Sequence, residues 1–227
     1  MLLARMRVFA LSLFILGAVA LARPARAQDP PPRIGPFVID LHGTFPRFPE
    51  DQLVADSRGM SLAELPGTGL GVQVGVHVYP VRWKAITIGL GGEYASGRAR
   101  QTPAAGATML RSAEERFTSL APQFSLNFGN GHGWSYISGG LGNSTWSIVP
   151  EGQDGYAPDS EKLKTVNYGF GARWFARSHL AFSFDVRFYA MNPGTGGTVQ
   201  GMDGTTVPLP GTPRTTLLIL SAGVSVK

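Results

Sequence analysis

Apolar and polar residues alternate along Leu70–Tyr79, and this alternation limits the folds open to the chain. One side of the segment carries Leu70, Val72, Val74, Val76 and Val78, and the other carries Gly71, Gln73, Gly75, His77 and Tyr79. Successive side chains of a β-strand point to opposite faces. The pattern therefore predicts a strand whose two faces meet different environments.

Seven further segments of about ten residues repeat this alternation, at 37–45, 86–94, 119–128, 134–147, 166–174, 180–189 and 218–226. A tilted strand needs about this length to cross a bilayer. Short connections at 80–83, 129–133 and 175–179 alternate with long ones at 46–67, 95–114, 148–162 and 192–214. Short turns at one rim and long loops at the other are typical of outer-membrane barrels. We predict an all-β fold, an eight-stranded antiparallel up-and-down transmembrane β-barrel over residues 36–227.

The composition of the polar faces indicates which side meets lipid. Only 15% of residues are charged, against about 25% in ordinary soluble domains. The polar positions are rich in Gly, Ser, Asn and Gln, which suit a crowded, hydrogen-bonded interior better than a solvated surface. We expect the apolar faces to contact lipid. A secreted, soluble, lipocalin-like barrel that binds an apolar ligand inside is an alternative.

The first 27 residues predict a cleavable signal peptide. Arg5 and Arg7 precede an apolar run over 8–22, and Ala25-Arg26-Ala27 fits the small-x-small cleavage pattern. Cleavage after Ala27 removes four of the 20 basic residues and leaves 16 against 15 acidic residues. The mature chain is then nearly neutral, so the sequence predicts no nucleic-acid partner. The proline-rich residues 28–35 are expected to form an extended leader.

Seven ionisable residues fall on predicted inward positions: Asp40, His42, His77, Glu93, Arg173, Asp185 and Arg187. An eight-stranded barrel is only wide enough for side chains to fill its interior. Buried charges of mixed sign pair with one another. We therefore expect a salt-bridged plug centred on Arg173, Asp185 and Arg187, while a proton or ion pathway is the alternative.

Four tryptophans lie near predicted strand ends, at Trp83, Trp134, Trp146 and Trp174. Aromatic girdles mark both interfaces of membrane barrels, so these residues are expected to form one. Pro122 lies within a predicted strand and lacks the N–H that a ladder needs. We expect a bulge at this position, or a location near the long-loop rim.

The sequence offers no catalytic, cofactor or metal site. Ser178 and His179 are adjacent but lack a nearby acid, and Asp40 and His42 lack a nucleophile. The four histidines, at positions 42, 77, 132 and 179, have no metal-binding spacing. We therefore predict a protein that is not an enzyme and holds no cofactor.

The segment Asn167–Phe175 has a Gly-x-Gly-x-Arg pattern, and Leu180–Tyr189 follows it with Asp-x-Arg. With Gly133-Trp134-Ser135-Tyr136 after a glycine-rich turn, these residues resemble the OmpA/OmpX-like outer-membrane β-barrel family. The resemblance covers residues 36–227, the barrel domain only, without a peptidoglycan-binding domain. It implies a Gram-negative outer-membrane protein, inserted by the barrel-insertion machinery, with outer-membrane lipid and lipopolysaccharide as partners.

These observations predict a monomeric, non-enzymatic outer-membrane barrel with a plugged interior. Its four long extracellular loops would give it a structural or surface-interaction role. A narrow, porin-like pore for ions or small solutes is the first alternative, and the soluble lipocalin-like barrel is the second.

Overall fold

Eight antiparallel strands close into a barrel in the computed structural model, which describes residues 32–103, 110, 112–150, 159–200 and 205–227. Each barrel strand pairs with the next barrel strand along the chain, and the last pairs with the first. The barrel strands are β1 (Phe37–Arg47), β2 (Gly69–Trp83), β3 (Ile86–Gln101), β4 (Ala113–Asn130), β5 (Gly133–Pro150), β6 (Asp159–Phe175), β7 (Leu180–Met191) and β10 (Thr215–Val226). The predicted fold class is confirmed. The predicted signal peptide, residues 1–27, lies outside the described residues.

Closure depends on the ladder between β1 and β10, which runs from Ile39 opposite Val226 to Arg47 opposite Leu218. A backbone N–H or C=O group without a partner is costly in hydrocarbon, so a sheet that crosses a membrane must have no open edge. The β1–β10 ladder removes both edges of this sheet.

The long connections contain further structure. The first, between β1 and β2, holds helix α1 (Gln52–Ser57) and a 3-10 turn (Leu62–Glu64), and the fourth holds a hairpin of β8 (Gly197–Gln200) and β9 (Thr206–Leu209). The Asp51 side chain caps α1 by accepting a 2.9 Å hydrogen bond from the Val54 N–H. In the described part of the chain, no helix is both long and apolar enough to span a membrane.

The apolar faces of the strands point outward. On β2, Val72, Val74, Val76 and Val78 are between 37% and 49% exposed, while Gln73 and His77 between them are buried. The other strands have the same facing, and their outward residues include Phe124, Phe170, Phe182 and Val224. The barrel thus has an apolar belt around a largely polar middle, the arrangement that the alternation predicted.

Four strands are longer than the sequence predicted. β3, β4, β5 and β6 contain 16, 18, 18 and 17 residues, where about ten suffice to span a bilayer. Their extra residues lie at the long-loop end, in segments that the sequence assigned to loops. Outward side chains there are charged, as with Arg98, Arg116 and Lys164. These strands therefore continue beyond the apolar belt, on the side where outer-membrane barrels have their extracellular loops.

Two local predictions are wrong. The predicted turn at 80–83 belongs to β2, which contains a register shift between Val78 and Val81, and the chain reverses next to Lys84, at φ 54°. The β4 ladders show no register shift at Pro122, which lies within the belt. Pairing between β4 and β5 lapses between Leu120 and Phe124 and resumes in the same register. One missing donor interrupts the ladder without inserting an extra residue.

Candidate functional site

All seven ionisable residues assigned to the interior face into the barrel, and each is at most 5% exposed. Six of them form two connected clusters, and His42 bonds to Ser183 instead. The first is centred on Asp40 of β1, whose carboxylate accepts hydrogen bonds from Nε and Nη2 of Arg173 at 2.9 and 2.6 Å. The Ser225 hydroxyl donates to the same carboxylate at 2.5 Å, and Nδ1 of His77 lies 3.4 Å from it. This bidentate pair links β6 to β1 across the interior.

The second cluster surrounds Arg187 of β7. Its guanidinium lies 3.1 Å from the Asp185 carboxylate and 3.0 Å from the Glu93 carboxylate. It also donates to Gln123 at 3.1 Å and to the Ser138 hydroxyl at 2.9 Å. One cation is therefore held by four side chains from four strands.

Tyrosine hydroxyls complete this network. Tyr136 donates to Asp185 at 2.8 Å, and its ring lies 4.2 Å from the Arg173 guanidinium, so it joins the two clusters. Tyr189 donates to Glu93 at 2.8 Å. The sequence predicted a centre formed by Arg173, Asp185 and Arg187. In the structure Asp185 and Arg187 contact each other, whereas Arg173 pairs with Asp40 across the barrel. Sequence reasoning missed both tyrosines as network members, although their inward parity was readable.

Glycines opposite the large interior residues make room for them. Gly169 is the register partner of Arg187, and Gly171 is the partner of Asp185. A Cβ added at Gly171 would lie 2.5 Å from the Tyr136 hydroxyl oxygen. The Gly-x-Gly pattern of β6 is therefore a packing requirement of the polar interior.

The proline-rich leader closes the short-turn end of the barrel. The Pro32 carbonyl accepts from the Gly131 N–H at 2.6 Å, and the Pro36 carbonyl accepts from the Tyr79 N–H at 2.9 Å. Between these anchors Ile34 is 7% exposed and belongs to a buried cluster with Val38, Tyr79, Trp134 and Tyr136. The described part of the leader is thus a seal, whereas the sequence predicted only an extended segment.

The long-loop end is closed by a second apolar cluster. Phe48, Val54, Met60 and Leu65 from the first long connection pack with inward side chains of the strands, among them Phe117, Leu163, Tyr189 and Leu217. Below this lid the Trp146 indole donates to the buried Glu115 carboxylate at 2.6 Å. Neither end of the barrel is therefore open in the described residues.

Arg58 fastens the first connection to the opposite side of the mouth. Its guanidinium donates to the Thr212 hydroxyl and lies 3.6 Å from the Glu161 carboxylate. Glu161 stands above the apolar belt, whose outward residues on β6 begin at Val166. Burial alone would raise the pKa of Glu161, but hydrogen bonds from Thr212 and Gly196, with the nearby Arg58 charge, hold that pKa below its ordinary value.

The described residues include a buried contact between a histidine and a serine. His42 Nε2 and the Ser183 hydroxyl share a 2.6 Å hydrogen bond, but both residues are buried, and His42 Nδ1 has no hydrogen-bond partner to orient the ring. Within the described ranges, no three His, Cys, Asp or Glu residues are grouped to hold a metal ion.

No protein-family model matches this sequence, and no curated protein does. Among solved structures, Neisserial surface protein A (NspA) is similar, with a TM-score of 0.52 and 12% identity over 85% of this chain and 97% of NspA. This chain has the fold of the OmpA/OmpX-like outer-membrane β-barrels. Two further solved structures also match. Ail of Yersinia pestis has a TM-score of 0.45 and 16% identity over 83% of this chain and 97% of Ail. AlkL in lipid bilayers has a TM-score of 0.45 and 15% identity over 91% of this chain and 96% of AlkL.

The predicted aromatic girdle is wrong for two of its four tryptophans. Trp83 and Trp174 point outward and are 66% and 59% exposed, as a girdle requires. Trp134 and Trp146 point inward and are 3% and 1% exposed. Trp134 stacks on Phe175 at 5.1 Å, and Trp146 hydrogen-bonds to Glu115. Both tryptophans close the interior and cannot touch an interface.

Proposed function

We propose that this protein is a closed, non-enzymatic barrel of the outer membrane whose extracellular loops carry its structural or surface-interaction role. The observation that carries the proposal is an apolar belt exposed around a hydrogen-bonded polar interior. Contiguous exposed apolar surface of this kind would cause a soluble protein to aggregate, whereas acyl chains solvate it. Trp83 and Trp174, both outward, suit one interface of this belt.

The outward direction of the apolar side chains counts against the lipocalin-like alternative. A barrel that binds an apolar ligand needs apolar residues around its centre. Here the centre holds Asp40, Glu93, Arg173, Asp185 and Arg187, each paired and at most 3% exposed.

The packed interior also favours a plug over a pore. A permeant ion would have to displace Ile34 at one end, the Asp40–Arg173 and Arg187 clusters in the middle, and the Phe48–Leu65 lid at the other. Each displacement separates buried charges or exposes apolar side chains, and neither is readily reversed.

Planar-bilayer recording tests this part of the proposal. The reconstituted full barrel is expected to give no conductance steps above the lipid background. Regular steps of one size would establish the narrow pore instead.

Export through residues 1–27, with cleavage after Ala27, belongs to the same proposal. Fractionation of cells that express the full sequence is expected to recover the mature chain with outer membranes. Its mobility on gels should shift when the sample is heated, as it does for closed barrels. A chain free in the periplasm or medium without detergent would refute the membrane assignment.

A further inference from the structure

A depression interrupts the apolar belt at Gly139, an outward position near the middle of β5. Gly139 is the register partner of Phe124 on β4 and of Tyr168 on β6. Two strand spacings, about 10 Å, therefore separate the backbones that carry the flanking rings. The resulting slot has a volume of about 530 Å³, and its lining includes Ile137 and Phe170.

The wall of the slot on β6 is held in place by its neighbour. The Tyr168 ring stacks on Phe188 of β7, with ring centroids 5.4 Å apart and planes inclined by 19°. A stacked pair keeps its position better than a single exposed ring. The slot is thus a fixed feature of the belt, shaped for a flexible hydrocarbon chain.

A second cavity lies above the slot along the same strand. It has a volume of about 520 Å³ and is lined by Glu161, Lys162, Lys164 and residues 192–196. Lys164 is four residues beyond Tyr168 on the same outward face, about 13 Å along the strand. In the part of the chain that the structure describes, neither lysine forms an ion pair, whereas Glu161 is bound by Thr212, Gly196 and Arg58.

Two other basic side chains at this rim already have an anionic partner. Arg98 of β3 and Arg116 of β4 both donate to the Glu114 carboxylate on β4. Lys162 and Lys164 are therefore positive charges available to an anion directly above an apolar slot. This combination fits an amphiphile that has an anionic head and a hydrocarbon tail.

We propose that the β4–β6 face binds one phosphorylated glycolipid of the outer leaflet, of the lipid A class. An acyl chain lies over Gly139 between Phe124 and Tyr168, and a phosphate contacts Lys162 and Lys164. The extracellular position of the lysines selects the outer leaflet. The inference rests on the proposed membrane location and names the lipid partner at this surface.

Native mass spectrometry of the full barrel, released from micelles with added bisphosphorylated lipid A, tests the head-group contact. The wild-type barrel should retain one lipid A and retain phosphatidylcholine far more weakly. Lys162→Gln with Lys164→Gln should weaken lipid A retention about 30-fold at low ionic strength, since each basic residue at a membrane surface contributes about a 5-fold change. The matched control is Arg47→Gln with Arg214→Gln, which removes two charges on β1 and beside β10 and should change retention less than 3-fold.

The slot is tested with a matched glycine pair. Gly139→Leu should weaken retention about tenfold by removing roughly 50 Å² of apolar contact, while Gly43→Leu, at an outward glycine of β1, should not. Because a Cβ at Gly139 would lie 3.2 Å from the Asn167 carbonyl, Tyr168→Ala, which removes one wall instead, serves as the second variant.

Three outcomes would overturn the site. These are equal losses for the two charge pairs, phosphatidylcholine retained as well as lipid A, or no effect of either slot variant in barrels that still shift on heating. A wild-type barrel that binds no lipid A yet shifts on heating and does not conduct would refute this inference alone.

Discussion

Replacing Arg187 with methionine tests whether the interior is a paired plug. Arg187 lies within 3.1 Å of the Asp185 and Glu93 carboxylates and donates to Gln123 and Ser138. Methionine has similar length, so the change removes the charge and the donors while leaving little cavity. Asp185 and Glu93 then lose the cation that they share in a site that is at most 3% exposed.

The expected cost follows from the contacts that survive. Tyr136 still donates to Asp185, and Tyr189 and Gln73 still donate to Glu93, so both carboxylates keep part of their hydrogen bonding. Breaking a buried ion pair from one side costs about 3–5 kcal/mol because a buried charge is left uncompensated. The free energy of unfolding should therefore fall by about 3–5 kcal/mol, which exceeds the roughly 1 kcal/mol of an exposed pair.

Reversible urea unfolding in micelles, followed by tryptophan fluorescence, measures this change. Arg82→Met is the matched control, since Arg82 is exposed at the short-turn rim and its Nε donates only to the Lys84 carbonyl. Adding Glu93→Gln to Arg187→Met should recover part of the loss. A change below 1 kcal/mol, or no recovery in the double variant, would refute the paired plug.

Three further predictions concern the belt, the seal and the lid. Val74→Arg, on the outward face of β2, should cost about 2–4 kcal/mol in vesicle refolding, whereas Thr216→Arg, above the belt, should cost under 1 kcal/mol; equal costs would mean that the facing is wrong. Ile34→Ala should lower the unfolding free energy by about 2 kcal/mol and expose the leader to protease, and unchanged cleavage would contradict the seal. The pKa of Glu161 in the folded protein is lowered, so its contact with Arg58 is complete above the ordinary glutamate pKa and is lost as pH falls through the lower folded pKa. The fluorescence anisotropy of a label attached at Leu53→Cys should therefore fall on acidification. Glu161→Gln should abolish this pH dependence.

Strand facing could be predicted because the belt imposes one parity on every strand. A shift of one residue would turn each Val and Phe of β2 or β7 into the lumen, so the apolar pattern fixes the face without knowledge of partners. The same parity placed Asp40, Glu93 and Arg187 inside, where the structure has them. Their partners could not be predicted, because Asp40 and Arg173 belong to β1 and β6, which are not neighbours in the barrel.

The girdle error shows which signal was overridden. Trp134 and Trp146 occupy even positions of β5, while the apolar outward residues Ile137 and Leu141 occupy odd ones. Alternation alone therefore placed both indoles inside, but proximity to strand ends suggested an interface. Gly139, Gly140 and Gly142 weaken the pattern, since a residue without a side chain marks neither face.

The two seals depend on contacts that periodicity does not encode. Ile34 and Phe48 flank β1 in sequence and close opposite ends of the barrel, and neither lies on an alternating strand. Because residues that flank β1 close both ends, closure of the interior depends on correct placement of β1. The same strand pairs with β10 to complete the barrel. The structure thus couples barrel closure to lumen closure, so a variant that weakens the β1–β10 ladder should lose both together. Leu41→Pro, which removes a donor from β1, should expose the Ile34 leader and the Phe48 lid to protease at the same urea concentration. Separate transitions at the two ends would refute this coupling.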